Sequence, residues 1–120
     1  MHIGNAAVVV VGLLQIGIAV GEIFLWKGSS IYMGLGLGLT KDESVKIAPI
    51  VANAGLYNAF IAAGLILSVW PGNDSATLKV FFLTCVAIAG LFGAATLNWK
   101  PLVLQTIPAL IAGLLVWLSK

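Results

Sequence analysis

Between Met1 and Lys27 the only formal charge is Glu22, set near the end of a long apolar run. A carboxyl in that position can bind a cation, exchange a proton or accept hydrogen bonds from neighbouring helices. Asn53 and Tyr57 lie four residues apart, share a helix face, and are expected to turn toward it. Asn58 is expected to point elsewhere, toward another helix or a subunit. Thr96, Asn98 and Gln105 fall at a similar depth on two further helices, and Gln15, seven residues before Glu22, shares its face. Glu22, Asn53, Tyr57, Thr96, Asn98 and Gln105 are therefore the candidate ligand- or proton-binding residues. No catalytic residue is assigned. A lone Cys85 forms no internal disulfide, and with His2 the single histidine no metal set is expected. No cofactor motif occurs: the glycines at 34, 36 and 38 lead into no Gly-Lys-Ser/Thr of a phosphate loop.

An ionisable group at the bilayer centre costs at least ~2.5 kcal/mol on the insertion scale. Glu22 sits about two turns from that centre, so its cost is smaller. The carboxyl needs a partner in Asn53, Tyr57 or Gln105, or else it takes up a proton. A plainer reading stands beside this one. Glu22 near an interface reaches the headgroups, and the amides serve as interhelical glue.

The elements that carry these residues follow from composition. Of 120 residues, 61% are hydrophobic and 8% charged, against about 25% charged in a soluble domain. Six lysines and four acids, with no arginine and a net charge of +2, leave no basic stripe for nucleic acid. A soluble enzyme, a disordered tail and a nucleic-acid binder are excluded. The expectation is an all-α membrane protein, a four-transmembrane-helix antiparallel bundle in one domain over 1–120, with the lipid bilayer as partner. A span needs about 20 apolar residues to cover about 30 Å. The charge gaps place four, at about 3–25, 47–69, 80–97 and 101–118. An N-terminus without Lys or Arg reads as a retained first span and not as a signal peptide.

Asn98-Trp99-Lys100 makes the last two spans antiparallel neighbours, and Pro71-Gly72-Asn73-Asp74 reads as a turn. The longer 27–46 loop is expected to lie on the bilayer and could cover the site. Its end, Thr40-Lys41-Asp42-Glu43, has the form of a capping box opening the second span, with Thr40 as the cap and Glu43 at the third position. Pro49 and Pro101 suit first turns, whereas Pro108 should bend or loosen the fourth span. Lys27, Lys41, Lys46 and Lys100 fall on one side against Lys79 and Lys120 on the other. The positive-inside rule then makes the first and third loops cytoplasmic and both termini external, in a plasma or inner membrane. Trp26 and Trp99 are expected at one interface, Trp70 and Trp117 at the other. Small residues four apart, Gly17/Gly21, Gly55/Ala59/Ala63, Ala89/Gly93 and Ala109/Gly113, can seat neighbouring helices or a homo-oligomer.

Several segments carry a resemblance. They are Glu22-Ile23-Phe24-Leu25-Trp26, Asn53-Ala54-Gly55-Leu56-Tyr57-Asn58 with Ala62-Ala63-Gly64-Leu65, and Phe81-Phe82-Leu83. With Ala89-Gly90-Leu91-Phe92-Gly93-Ala94-Ala95-Thr96 and Gln105-Thr106-Ile107-Pro108-Ala109, the chain from Gly12 to Leu118 resembles the bacterial membrane family of domain of unknown function 1304. The resemblance implies a four-span protein of about this length and implies no activity. Its motifs include Glu22, Asn53, Tyr57, Asn58, Thr96 and Gln105.

Three functions compete. The first is binding or transport of a small lipophilic or cationic molecule at Glu22. In size and in its first-span glutamate, the chain is similar to small multidrug-resistance transporters. The second is a structural or accessory subunit of a membrane complex, whose small-residue seams bind a partner. The third is a membrane enzyme acting on a lipid-like substrate, which would rest on Glu22 and Tyr57 alone.

Overall fold

The structure, a computed structural model, describes residues 2–26 and 38–119. It is all helical among those residues. Three helices of 21 residues each, α1 (Ile3–Ile23), α3 (Ala48–Ser68) and α4 (Ala76–Thr96), are long and apolar enough to cross a membrane. At 1.5 Å per residue each covers about 30 Å, the thickness of the hydrocarbon. A short helix α2 (Lys41–Lys46) leads into α3. A π-helical turn (Leu102–Thr106) and α5 (Ile107–Leu118) form the shorter fourth rod.

The rods close a ring. α1 packs on α3 and α5, while α4 packs on α3, on the π-helical turn and on α5. The bundle is a membrane-like one, 49 Å long and 25 by 17 Å across. Its centre is a single cluster in which Val8 and Val11 meet Leu65, Leu83 and Val86, closed by Ala109 and Ala112. Large apolar side chains such as Phe60, Phe81, Phe92 and Leu110 point outward instead. That is the exterior a bilayer requires, because lipid tails are as apolar as the core.

Close packing rests on small residues, though not at every expected place. Gly55 lets α1 approach so near that an added Cβ would lie 2.8 Å from Ile23 Cγ1 and 3.0 Å from Glu22 Cβ. Gly90 does the same for the π-helical turn. Gly17 and Gly113, by contrast, face open space. Two of the expected seams therefore have one member turned out of the bundle, while Ala109 is buried in the core and Gly21 lines a cavity. The reason is rotational: α1 turns Val8, Val11, Gln15 and Ala19 inward, and Gly17 falls on the other side.

The fourth rod loosens where Pro108 demands it. Proline has no amide to donate one turn back. The preceding backbone widens, and Ile107 N–H bonds to Leu102 O across five residues. Thr106 Oγ1 donates across to Ala87 O at 2.9 Å, tying the loosened turn to α4.

The expected capping box is present, but it opens the short helix α2 and not the second span, which starts separately at Ala48. Glu43 N–H donates to Thr40 Oγ1 at 3.1 Å, and Thr40 N–H to Glu43 Oε1 at 2.9 Å. Two other expectations are corrected. Trp26 is not an exposed interface anchor; it is 3% exposed, packs on Ala48, and donates from Nε1 to Ser44 O at 2.8 Å. Ala48, with Leu39, Ile47 and Val51 packed alongside, is what covers it. Lys79 is not a link residue ahead of a helix at Val80. Ser75 Oγ caps Leu78 N–H, α4 starts at Ala76, and Lys79 is carried into its first turn and buried. The expectations for residues 27–37, as interfacial segment or lid, lie outside the described residues.

Buried Lys79 bonds Asp74 Oδ1 at 2.6 Å, and Asn5 Nδ2 donates to the same oxygen at 3.1 Å. Hydrogen bonding from Lys79 first, and from Asn5 next, holds the Asp74 carboxyl below its ordinary 3.8. A depressed carboxyl stabilises the fold above its unfolded pKa and loses that contribution as pH falls through the folded one. Asp74→Asn should therefore melt below wild type by a constant margin from pH 7 to pH 5. Below about pH 4 the margin should shrink. Thermal melts of both proteins in one detergent check this, and a margin that widens on acidification would refute it. Glu43, lowered by its Thr40 bonds, titrates in both proteins alike and cancels.

Candidate functional site

One end of the bundle gathers the C-terminal turn of α1, the first half of α3, the C-terminus of α4 and the π-helical turn. A cavity of about 220 Å³ opens there. Ile18, Trp26, Leu97, Pro101 and Leu104 form its apolar walls. Its polar lining is Glu22, Asn58, Asn98, Lys100 and Gln105. Apolar walls with a few converging polar groups are the ordinary make-up of a small-molecule site.

Glu22 reaches this cavity because of α3. Gly55, Ala62 and Leu65 are buried on the face toward α1, and Asn58 lies on the same stripe, three residues after Gly55. The close approach at Gly55 brings Glu22 against it. Asn58 Nδ2 donates to Glu22 Oε1 at 2.7 Å. Its Oδ1 accepts a longer bond of 3.4 Å from Nε2 of Gln15, which is wholly buried. The result is a polar chain running inward from the cavity wall, with each amide donating toward the carboxylate. Charge-assisted bonds of this kind are the stronger ones.

The residues expected to meet Glu22 divide. Gln105 and Asn98 line the same cavity, and Asn98 Oδ1 also accepts from Lys100 N–H at 3.0 Å. Asn53 and Tyr57 do not meet Glu22. Both are exposed on the outer face of α3, where the Tyr57 ring lies 6.2 Å from that of Phe60. Thr96 is exposed too, its hydroxyl spent on Phe92 O at 2.8 Å. Asn58, expected to point away, is the actual partner. The sharing of a face by Asn53 and Tyr57 was no guide, because periodicity groups residues without saying which group meets α1. The packing at Gly55 decides it: Asn58, three positions on, lies on the stripe that α1 contacts. Lys100 was read only as a loop charge, yet Pro101 starts the next turn immediately and holds it at the cavity.

Two acceptors, Gln15 Oε1 and Gln105 Oε1, are buried without a hydrogen-bond partner among the described residues. Unsatisfied buried acceptors cost about 1–3 kcal/mol each, so Gln105, on the cavity lining, favours a donor brought by a ligand. Among the described residues no three His, Cys, Asp or Glu side chains gather as a metal site would require. Chemically the site offers one carboxyl group and an open amide oxygen on apolar walls.

No curated protein matches the chain, and no solved structure matches it. Residues 9–117 match the family described as "Protein of unknown function (DUF1304)", and with nearly its whole length covered the chain belongs to that family.

Proposed function

We propose that this multi-span membrane protein binds or transports a small lipophilic or cationic molecule at the cavity beside Glu22. The supporting observation is a carboxylate fixed by Asn58 on an apolar wall. A cation gains most from a carboxylate where water is scarce, and apolar walls accept its body. In this reading the protein lies in a plasma or inner membrane, with the first and third loops cytoplasmic and both termini outside.

Tetraphenylphosphonium, a lipophilic cation, is a direct probe. Glu22→Gln keeps the shape and the Asn58 bond to a carbonyl oxygen while removing the charge. Titration calorimetry in detergent should show binding to wild type and at least tenfold weaker binding to Glu22→Gln. Equal affinity in the two proteins would remove Glu22 from the reading. A second reading, an accessory subunit or homo-oligomer, is favoured by Gly17 and Gly113, which face open space outside the bundle. Cross-linking in native membranes that traps neither a second copy nor a partner would count against it.

A further inference from the structure

We infer that the outer face of α3 is a contact surface for a second copy of this chain, with the two Asn53 amides bonded to each other across it. Asn53 lies five residues after Ala48, the first residue of α3, and is exposed. At 1.5 Å per residue it sits about 7.5 Å inside the end of the span. At that depth lipid supplies neither donor nor acceptor. The Asn53 amide nevertheless has no hydrogen-bond partner among the described residues. Hydroxyls exposed on the neighbouring span behave differently. Thr84 Oγ1 donates to Val80 O at 2.6 Å and Thr96 Oγ1 to Phe92 O at 2.8 Å, so each is satisfied within its own helix. The amide is left for a group outside the protomer, and leaving it unmet in hydrocarbon is costly.

The pattern around Asn53 says what that group is. Asn53, Phe60 and Leu67 are seven residues apart, as are Leu56 and Ala63, and all five are exposed. This is the a/d repeat of a left-handed helix pair, with Asn53 at an a position. Asparagine there specifies register and oligomer state, because its amide is donor and acceptor at once. For copies inserted in one orientation, a two-fold axis along the bilayer normal sets identical residues at identical depth. Asn53 then faces Asn53, and each amide donates to the other. A different protein would have to carry a matching amide to that depth, whereas a second copy brings it by symmetry. Ala63, small and on the same stripe, lets the two helices draw close farther along. Gly17 and Gly113 lie on α1 and α5, so this surface is separate from theirs.

The test uses the full-length protein, fluorescently labelled at its C-terminus, in phosphatidylcholine vesicles. Energy transfer is followed as added lipid dilutes the protein. Wild type should pair, and Asn53→Leu, which loses two reciprocal bonds, should pair about tenfold more weakly. Asn53→Gln keeps an amide and should recover most of the pairing. Disulfide trapping locates the surface with Asn53 intact. In a Cys85→Ser background, oxidation should join two copies of Phe60→Cys and should not join Ile88→Cys, which is exposed on α4. Equal pairing by wild type and Asn53→Leu would overturn the inference, as would a monomer at every dilution. Cross-linking through Ile88→Cys or Gly17→Cys in place of Phe60→Cys would overturn it too, as would a Phe60→Cys adduct in native membranes with a different protein only. None of the α3 residues named here lines the cavity, so the outcome is independent of the reading of Glu22.

Discussion

Gly90→Ala is expected to destabilise the bundle by about 2 kcal/mol, although alanine is the better helix former. Two effects oppose each other. Replacing a mid-helix glycine with alanine gains about 1 kcal/mol in propensity. Against this, the new methyl would lie 2.7 Å from Thr106 N and 2.9 Å from Pro101 O. Both are backbone atoms, which cannot swing aside as a side chain can. Overpacking of this sort costs about 1–3 kcal/mol, and here the Thr106 bond to Ala87 O is disturbed as well. Sterics win. Gly17→Ala and Gly113→Ala meet nothing within 4 Å, so propensity acts alone and both should be neutral or stabilised by up to about 1 kcal/mol. Thermal unfolding of the three variants in one detergent separates the cases. If Gly90→Ala melts with Gly17→Ala, the close seat of the π-helical turn on α4 is wrong. Because that turn carries Gln105, the same variant should also weaken binding at the cavity.

The contrast between these glycines shows what a sequence of this kind reveals. Four apolar rods could be read from the charge gaps because hydrocarbon thickness sets a length, and length is local information. Local too are the Thr40–Glu43 capping box and the disturbance ahead of Pro108. Depth along a rod is nearly as legible, since it follows from counting residues to the nearest charge. Rotation about the axis is not. In a soluble helix the polar face marks the outside, whereas these helices are apolar all round and carry no such mark. Asn53, Tyr57 and Asn58 therefore had depths but no directions. Only the packing of α1 at Gly55 gives Asn58 to Glu22 and leaves Tyr57 63% exposed. Trp26 and Lys79 were missed for a second reason. Each is bonded to a neighbour in a connecting segment, Ser44 and Asp74, which the apolar runs do not include.

Asn58→Leu should cost about 1–3 kcal/mol of stability, and adding Glu22→Leu and Gln15→Leu should restore most of it. Asn58 is the one residue that joins the other two: it donates to Glu22 at 2.7 Å and accepts from Gln15 at 3.4 Å. Removing it strands a carboxylate and an amide that is wholly buried. A hydrogen bond to a charged group is worth about 1.5–3 kcal/mol. Interhelical bonds within membranes average nearer 0.6, because the unfolded chain also finds partners there. A larger loss is expected here, since removing Asn58 breaks two bonds at once. Replacing all three members with leucine removes the desolvation cost along with the bonds, and such replacements are often neutral. Unfolding free energies of the single and triple variants in one bilayer mimetic form the cycle. Additive losses would mean that the three side chains do not act as a unit. The outcome bears on function as well as stability. If leucine at all three positions costs no stability, glue alone does not explain the polar chain. Should the triple variant fold as well as wild type yet fail to bind tetraphenylphosphonium, the polar chain serves the cavity. Ionisable groups inside a bundle are expensive, and a bundle equally stable without them holds them for what they bind.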